Sequence, residues 1–211
     1  MPNTQDQPLP KPTVKLVKEM EERFDLENHD TECALTWLVK QFPQNTNGSQ
    51  VLLKVAAINQ LYSTQIYAVR IVADHIATLN IDADLDAGSL QLVGKIASVK
   101  IRDKVRCNLS FASKYCSWHR PELYPIYDAR VENCLWAYRL QVGLGFNRKA
   151  LWNYGSFYAA VNEFRDRFEL HRPLTFKQID KFLYLTGSDL IEARERAKTT
   201  YKESTTLHET D

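Results

Sequence analysis

The chain contains little glycine and little proline, and it has no long apolar run. Seven glycines and eight prolines in 211 residues are too few for the many tight turns of a β-sandwich or a β-barrel. No stretch approaches the roughly 18 apolar residues of a membrane-spanning helix. The first residues, MPNTQDQPLPKP, lack the apolar core of a signal peptide. We therefore expect a cytoplasmic protein that makes no contact with a membrane.

The cysteines are few and widely separated. They form no C-x-x-C pair, and no histidines stand at metal-ligand spacing beside them, so neither a structural zinc site nor a disulfide framework is expected. We predict buried free thiols that pack as small hydrophobic side chains, and we expect no metal and no cofactor. The four cysteines are Cys33, Cys107, Cys116 and Cys134.

The remaining composition is that of an ordinary globular protein, with 44% hydrophobic and 25% charged residues. Apolar residues recur at spacings of three and four almost throughout, and no segment shows convincing strand alternation, so we predict an all-α fold. Residues 1–11 are predicted to be a disordered lead, and residues 199–211 a frayed tail. Residues 12–198 should form a single compact unit, and an arrangement of two helical lobes around a cleft stays open.

The positions of the helices follow from the apolar periodicity and from the residues that stop or cap a helix. Thr175 and Ser188 are predicted N-caps, Asp30 or Thr31 is another, and residues 82–88 are predicted to be a polar loop. The predicted helices span residues 14–24, 31–42, 51–61, 65–79, 90–100, 110–118, 129–140, 149–168, 175–185 and 188–198.

A local excess of positive charge interrupts a chain that is otherwise close to neutral. Between Lys95 and Lys114 there are six basic residues and a single acid, Asp103, whereas the net charge of the whole chain is +1. Such a cluster is typical of a surface that contacts phosphate groups. A solvated basic loop without a ligand would show the same pattern, so charge alone does not decide between the two.

The segment FASKYCSWHRPELYPIYDARV, residues 111–131, places Lys114 and Asp128 at opposite ends of an aromatic connector that contains two prolines. An amine and a carboxylate on neighbouring helices can attack or stabilise an electron-poor carbon, such as C1′ of a sugar. A second interpretation needs no chemistry: Asp128 is also a suitable N-cap for the helix that follows, and Lys114 could be a surface lysine. The residues themselves leave both interpretations open.

The order of short helix, lysine, connector and Asp-Ala-Arg-Val resembles the helix-hairpin-helix DNA glycosylase superfamily. More narrowly, FASKYC and PELYPIYDARV resemble prokaryotic proteins with an 8-oxoguanine DNA glycosylase fold. The resemblance implies an all-α fold in which Lys114 is the catalytic lysine and Asp128 the catalytic aspartate. The segment VAAINQLYSTQIYAVRIVADHI is also similar to a helix–turn–helix of the superfamily. It would place Tyr62, Ser63 and Thr64 in the turn that wedges into DNA.

The chain departs from the superfamily pattern before Lys114. The stretch IRDKVRCNLSFASK has no glycine, whereas the superfamily has a glycine hairpin of the type L-P-G-V-G at that place. Basic side chains would then make the phosphate contacts instead of backbone N–H groups. The candidates for these contacts are Lys100, Arg102, Lys104 and Arg106. No iron–sulfur cluster is expected, because no four-cysteine pattern follows.

The function implied by the resemblance is a DNA glycosylase that acts on a base flipped out of double-stranded DNA. Asp128 would stabilise the positive charge that develops on the sugar or orient a water, and Lys114 could attack C1′ as a lyase nucleophile. The biological role would be DNA repair or defence against modified phage DNA. The aromatic candidates for the base pocket are Tyr115, Trp118, Trp152 and Tyr154.

The alternative is a non-catalytic helical module that binds DNA or another protein on a glycosylase scaffold, and the missing glycine hairpin favours it. The two hypotheses differ in whether Lys114 and Asp128 should reach one cavity. A metal-dependent nuclease is disfavoured because acids and histidines are not clustered in the sequence. The base that would be recognised and the oligomeric state do not follow from these residues.

Overall fold

The computed structural model describes the backbone of residues 8–208 and the side chains of residues 8–196 and 199. The protein is mostly helical, as predicted, and one small β-hairpin precedes the helix that carries Lys114. The α-helices in this range are α1 (Val14–Gln41), α2 (Gly48–Leu61), α3 (Val69–Leu79), α4 (Asp82–Asp86), α5 (Leu90–Ala97), α6 (Leu109–His119), α7 (Ala129–Val142), α8 (Tyr154–Arg167) and α9 (Phe176–His208). A 3-10 helix spans Arg148–Trp152.

Two pairs of predicted helices are single helices in the structure. α1 runs without a break through Asp30 and Thr31, which the sequence had suggested as a cap. α9 likewise continues through Ser188, whose hydroxyl donates to the Tyr184 carbonyl oxygen at 2.9 Å instead of capping a new helix. Polar residues with N-cap preference therefore lie inside helices at both places, because no proline interrupts the helical backbone there.

The predicted cap at Thr175 is confirmed. Its hydroxyl accepts a hydrogen bond from the Gln178 backbone N–H at 3.3 Å, and the Gln178 side chain accepts one from the Thr175 N–H at 2.9 Å. This reciprocal pair is a capping box. It fixes the start of α9, and α9 later contributes an acid to the candidate site.

The prediction of a fold without strands is wrong between residues 98 and 107. The strands β1 (Ser98–Ile101) and β2 (Lys104–Cys107) pair antiparallel, with Ser98 opposite Cys107. Arg102, in the two-residue turn, has a left-handed φ of 55°. Each strand has only four residues, so its alternation of β-branched and basic residues is too short to override the helical period of the preceding segment. The predicted polar loop at residues 82–88 likewise contains the short helix α4.

The core is formed by helices packed against one another and is rich in aromatic rings. Tyr138 of α7 contacts Phe164 of α8 at a ring-centroid distance of 5.1 Å and Phe182 of α9 at 6.4 Å. At the crossing of α7 and α9, Gly187 lies directly against the backbone of Arg130. α9 also packs along α1, so the last helix joins the first helix to the middle of the chain.

The N-terminal end of the described range packs against the body of the protein, and the C-terminal end continues as helix α9. The predicted disordered lead is held at Leu9, whose backbone exchanges two hydrogen bonds with the Gln141 side chain, and at Pro10, whose carbonyl accepts from Tyr138. Residues 1–7 of that prediction lie outside the described residues. α9 continues to His208 through most of the predicted frayed tail, and residues 209–211 lie outside the described range. None of the described helices is both long enough and apolar enough to cross a membrane.

Candidate active-site cleft

A cleft of about 650 Å³ opens between α1, the turn after α2, α6, the start of α7 and α9. Lys114 and Asp128 both line it. The two residues that the sequence analysis singled out therefore converge on one cavity, and their side chains do not point to separate surfaces. A volume of this size lies in the range of small-molecule sites.

Lys114 is almost completely buried in α6, with 2% of its surface exposed. Its ammonium group donates to Asp128 Oδ2 at 3.0 Å and to Ser110 Oγ at 2.8 Å, and its Nζ lies 5.4 Å from the centroid of the Tyr62 ring. Burial lowers the pKa of Lys114, and the carboxylate of Asp128 opposes this effect. The lysine is therefore buried beside the cleft and is not the surface lysine that the second interpretation required.

Asp128 is both the N-cap of α7 and a wall residue of the cleft. Its Oδ1 accepts a hydrogen bond from the Arg130 backbone N–H at 2.9 Å, while its Oδ2 accepts from Lys114. The side chain keeps 20% of its surface exposed. The capping interaction fixes the carboxylate at the N-terminal end of α7. Asp128 therefore caps α7 and lines the cleft at the same time, so the two interpretations of this residue do not exclude each other.

A further acid, Asp180 of α9, belongs to the same cleft and was not predicted. Its residue is 5% exposed, and its Oδ2 accepts a hydrogen bond from the Ile126 backbone N–H at 2.9 Å. Its Oδ1 is buried and has no hydrogen-bond partner among the described residues. Burial raises the pKa of Asp180 well above its usual value, although the Lys114 cation opposes the rise. The only sequence signal for it is an acid on the same helical stripe as Phe176 and Leu183, which are buried.

Aromatic rings form much of the remaining wall. Trp118 and Tyr62 lie beside each other with ring centroids 6.4 Å apart, and Tyr184 meets Phe24 edge-on at 5.9 Å. All four residues line the cleft. A flat, apolar ring system entering the cleft would therefore meet aromatic surfaces, which favours stacking.

The other three residues predicted for a base pocket lie elsewhere. Tyr115 is fully buried in the core and donates to Asn45 Oδ1 at 2.6 Å, and Tyr154 is buried and donates to the Pro125 carbonyl oxygen at 2.8 Å. Trp152 is 68% exposed and lies outside the cleft. Hydrogen bonds to buried partners hold the hydroxyl groups of the two tyrosines in the core. The apolar periodicity of the sequence does not show where such partners lie. Trp118 remains the member of that set that lines the cleft.

The turn predicted between two helices is present and rigidly built. Tyr62 caps α2, and Ser63 and Gln65 have left-handed φ values of 50° and 59°. The Asn59 side chain fixes the turn, because it accepts from the Thr64 hydroxyl at 2.8 Å and from the Ile66 backbone N–H at 2.8 Å. Tyr62 and Ser63 face the cleft, so this turn forms one of its edges.

The four basic candidates for DNA contact occupy the β-hairpin. All four side chains are exposed, and none forms an ion pair with another described residue. The base of the hairpin is tied to α6, because Asn108 N–H donates to the Ala97 carbonyl oxygen at 2.9 Å. The four residues are Lys100 in β1, Arg102 in the turn, and Lys104 and Arg106 in β2. The glycine-free stretch thus forms a basic hairpin just before the helix of Lys114.

No group of three or more His, Cys, Asp or Glu side chains in the described part of the chain is arranged to hold a metal ion. Cys116 and Cys134 are buried free thiols, as predicted, whereas Cys33 and Cys107 are exposed.

Comparisons with known proteins place the chain in a family. A Haemophilus influenzae protein (strain Rd), named only as an uncharacterized protein, is 37% identical over 142 residues, which is 66% of this chain and 67% of the relative. No solved structure gives a significant match. Residues 13–123 match the family HI_0787_N, described as an N-terminal domain. This segment includes Lys114 but ends before Asp128 and Asp180. Because it covers more than half of the sequence, the chain belongs to the HI_0787_N family.

Proposed function

We propose that the protein is a DNA glycosylase that cleaves the N-glycosidic bond of a damaged or modified base in double-stranded DNA. The observation that carries the proposal is the contact between Lys114 Nζ and Asp128 Oδ2, 3.0 Å apart in the wall of one aromatic cleft. An amine and a carboxylate held together beside a cavity large enough to admit a nucleobase are the groups that such a reaction needs.

Asp128 is the group assigned to bond cleavage. When the base leaves, positive charge develops on the sugar, and an ionised carboxylate beside C1′ stabilises that charge or orients a water for attack. The N-cap hydrogen bond from Arg130 holds Oδ1 in place, so the carboxylate is oriented before the substrate arrives. Its partial exposure leaves it accessible from the cleft.

Lys114 is the group assigned to covalent catalysis in a lyase version of the reaction. Its unprotonated amine would attack C1′ while the bond from C1′ to the base nitrogen breaks, and one proton of the amine would pass to the departing base. The C1′–O4′ bond of the sugar ring would then break as the Schiff base forms, and O4′ would take up the second proton. An amine must be unprotonated to attack, and burial favours the unprotonated form by lowering the pKa of Lys114. Hydrolysis needs Asp128 alone, so the lyase step is the secondary part of the proposal.

The basic β-hairpin is assigned to the DNA backbone. Lys100, Lys104 and Arg106 are exposed cations that make no ion pair within the described residues, and they directly precede α6. In this proposal they take the place of the glycine hairpin of the helix-hairpin-helix glycosylases, and the rigid turn at Tyr62–Thr64 faces the duplex beside the flipped nucleotide. The likeness to that fold, and a role in repair or in defence against modified phage DNA, are parts of the same proposal.

A panel of duplex oligonucleotides tests the activity, each duplex carrying one damaged or modified base and scored for abasic sites by alkaline cleavage. We expect the wild-type protein to release at least one base. Asp128→Asn should release it at least about a hundredfold more slowly, which is typical of the loss of a positioned acid–base group. Asparagine is also a good N-cap, so the fold of α7 should survive. Asp74→Asn, at an exposed position in α3, is the matched control and should retain the wild-type rate.

Borohydride trapping tests the lyase step. Reduction during turnover should join the wild-type protein covalently to DNA, and Lys114→Gln should give no such product. Base release without a trapped species would restrict the protein to hydrolysis. Binding of duplex DNA without release of any base in the panel would instead support the non-catalytic DNA-binding module, which the replacement of the glycine hairpin by β-strands favours.

A further inference from the structure

The carboxyl group of Asp180 has one oxygen committed to the protein and one that is not. Oδ2 accepts the Ile126 backbone N–H at 2.9 Å, whereas Oδ1 is buried without a hydrogen-bond partner among the described residues. Buried polar atoms are nearly always paired, and the exceptions cluster at functional positions. Since Asp180 lines the cleft that holds Lys114 and Asp128, Oδ1 is suited to pair with a ligand.

The surroundings of Asp180 favour its neutral form. Three cations lie near enough to act on it, but none forms an ion pair with it: Lys114 already pairs with Asp128, and Arg165 donates to the carbonyl oxygens of His171 and Leu174. The charged or titratable groups that face Asp180 are Lys114 from α6, Arg165 and Tyr154 from α8, Lys177 from α9 and Tyr62 from the end of α2. Burial outweighs these cations and raises the pKa of Asp180.

A neutral carboxyl group has one O–H donor. Because Oδ2 accepts the Ile126 N–H, the proton of the neutral form belongs on Oδ1. In the neutral form Oδ1 is the hydrogen-bond donor of the carboxyl group, and it then requires an acceptor on the ligand.

A stacking surface lies one helical turn further along α9. Tyr184 lines the cleft, the guanidinium of Arg130 lies 4.9 Å from the centroid of its ring, and Arg130 donates to its hydroxyl at 3.0 Å. These contacts hold the Tyr184 ring in place. Asp180 and Tyr184 thus provide an edge contact and a ring contact on the same wall.

We propose that Asp180 is the ligand-recognition group of the cleft, and that its Oδ1 donates a hydrogen bond to a ring nitrogen or carbonyl oxygen on the edge of a nucleobase. The proposal rests on the proposed function for the class of ligand, and it adds the polarity of the recognised edge. A base that presents an N–H group at this point places two donors against each other and is rejected. A base that presents an acceptor is retained.

Two substitutions and a control separate a donor at this position from an acceptor. In Asp180→Asn the side-chain oxygen can accept the Ile126 N–H while the NH₂ group donates to the ligand, so this variant imitates the neutral acid. Asp180→Leu removes both functions. Asp189→Asn, at an exposed position on the same helix, is the control for surface charge.

Binding of the free bases adenine, cytosine, guanine, uracil and 8-oxoguanine is measured by ligand-observed NMR at pH 6. We expect at least one base to bind the wild type, Asp180→Asn and Asp189→Asn with dissociation constants within about threefold. Asp180→Leu should bind it about tenfold more weakly or worse, the loss typical of a buried hydrogen bond. Equal binding by Asp180→Leu, a loss in Asp180→Asn as large as in Asp180→Leu, or no binding of any base to the wild type would overturn the proposal.

The proton itself is followed by carboxyl ¹³C NMR of protein labelled at aspartate, with the Asp180 signal assigned by its absence in Asp180→Asn. It should titrate at a higher pH than the exposed aspartates, and titration together with them would contradict the donor role. The activity has a separate readout, because Asp128→Asn should still bind the free base although it releases the base from DNA at least about a hundredfold more slowly. Base binding that depends on Asp180 without release by the wild type would refute the glycosylase and leave recognition standing. If Asp180→Leu releases the base from DNA at the wild-type rate and with the wild-type selectivity, the role of Asp180 in recognition is refuted and the glycosylase activity stands.

Discussion

At the scale of single residues, the protein buries the amine of a second lysine besides Lys114. Lys54 of α2 is fully buried, and its ammonium donates to the carbonyl oxygens of Phe42 and Gln44, each at 2.9 Å, and to Asn45 Oδ1 at 2.6 Å. One amine thus satisfies the backbone of the segment that joins α1 to α2. Lys40 and Pro43 lie at the same end of α1 and line the cleft. Lys54 therefore helps to hold one wall of the cleft in place.

Replacing Lys54 with methionine should lower the free energy of unfolding by about 2 kcal/mol, because the partly buried carbonyl oxygens of Phe42 and Gln44 and the buried Nε2 of His119 would lose the Lys54 amine as a hydrogen-bond partner. Asn45 Oδ1 would keep its hydrogen bond from Tyr115. Urea denaturation at pH 7 measures the change. Lys18→Met, at an exposed position in α1, should change the stability by no more than about 0.5 kcal/mol. Equal effects of the two substitutions would show that the ammonium contacts contribute little.

The same lysine should make stability depend on pH. Burial lowers the pKa of Lys54 from 10.5 to about 8 in the folded protein. Between these values the unfolded chain still holds a proton that the folded protein has released, so the free energy of unfolding should rise with pH through this interval. The wild type should show this rise between about pH 8 and about pH 10.5 relative to Lys54→Met. Parallel pH profiles of the two proteins would mean that the amine is charged throughout.

The residues that could be predicted from the sequence are those whose role depends on local order. Asp128 was recognisable as an N-cap because a capping acid stands directly before a helical segment. Lys114 was singled out through the resemblance to the helix-hairpin-helix glycosylases, since the local sequence alone also allowed a surface lysine. Asp180 and Lys54 were not recognisable, since each derives its properties from burial against segments far away in the chain. The helical period places both residues on buried stripes, but it does not show which distant groups they meet there, and those groups determine their properties.

At the scale of elements, the crossing of α7 and α9 determines how Asp128 and Asp180 face each other. A Cβ atom added at Gly187 would lie 2.3 Å from the Arg130 carbonyl oxygen, so the two helices can approach this closely only because glycine lies at the contact. Arg130 is two residues after Asp128 in the first turn of α7. Any separation of the helices here would therefore displace the carboxylate.

Gly187→Ala should destabilise the protein by about 2 kcal/mol or more, because backbone atoms must move to admit the methyl group. It should also reduce any activity that depends on Asp128. Gly94→Ala is the control, since Gly94 is exposed in α5 with no atom within 4 Å of an added Cβ. Alanine there should be neutral or stabilise by up to about 1 kcal/mol. Thermal unfolding of both variants decides the matter, and an unchanged Gly187→Ala would argue against close packing at this crossing.

The basic hairpin is the element whose position the sequence indicated while its structure was mispredicted. The charges at Lys100 and Arg106 were evident, whereas the strands that carry them are only four residues long.

If the hairpin contacts DNA phosphates, Lys100→Gln combined with Arg106→Gln should reduce the slope of log K against log salt by about 1.8, which is about 0.9 for each lost contact. Lys15→Gln combined with Lys18→Gln on α1 removes the same charge elsewhere and should leave the slope unchanged. Fluorescence anisotropy of a labelled duplex measures both, and equal slopes would exclude a contact by the hairpin.

At the scale of the whole molecule, the cleft is assembled from distant parts of the chain. The segment that matches the HI_0787_N family supplies α1, α2 and α6, whereas α7 and α9 lie beyond it. α9 closes the cleft against α1 through contacts between Lys177 and Glu32 and between Lys181 and Asp25. Neither part of the chain therefore contains the complete set of Lys114, Asp128 and Asp180.

This arrangement predicts that the protein unfolds in one cooperative transition. Residues 8–13 pack on α7 and α1 packs along α9, so the removal of either end exposes the core of the other part. Urea unfolding followed by far-ultraviolet circular dichroism and by tryptophan fluorescence should give coincident curves, because Trp37 and Trp118 lie in the first part of the chain and Trp136 in the second. A Trp118→Phe variant separates the signal of the cleft from the rest, and its fluorescence curve should still coincide with the dichroism curve. Two separate transitions would show that the cleft lies between units that fold independently, in which case closure against α1 would be a docking step rather than part of folding.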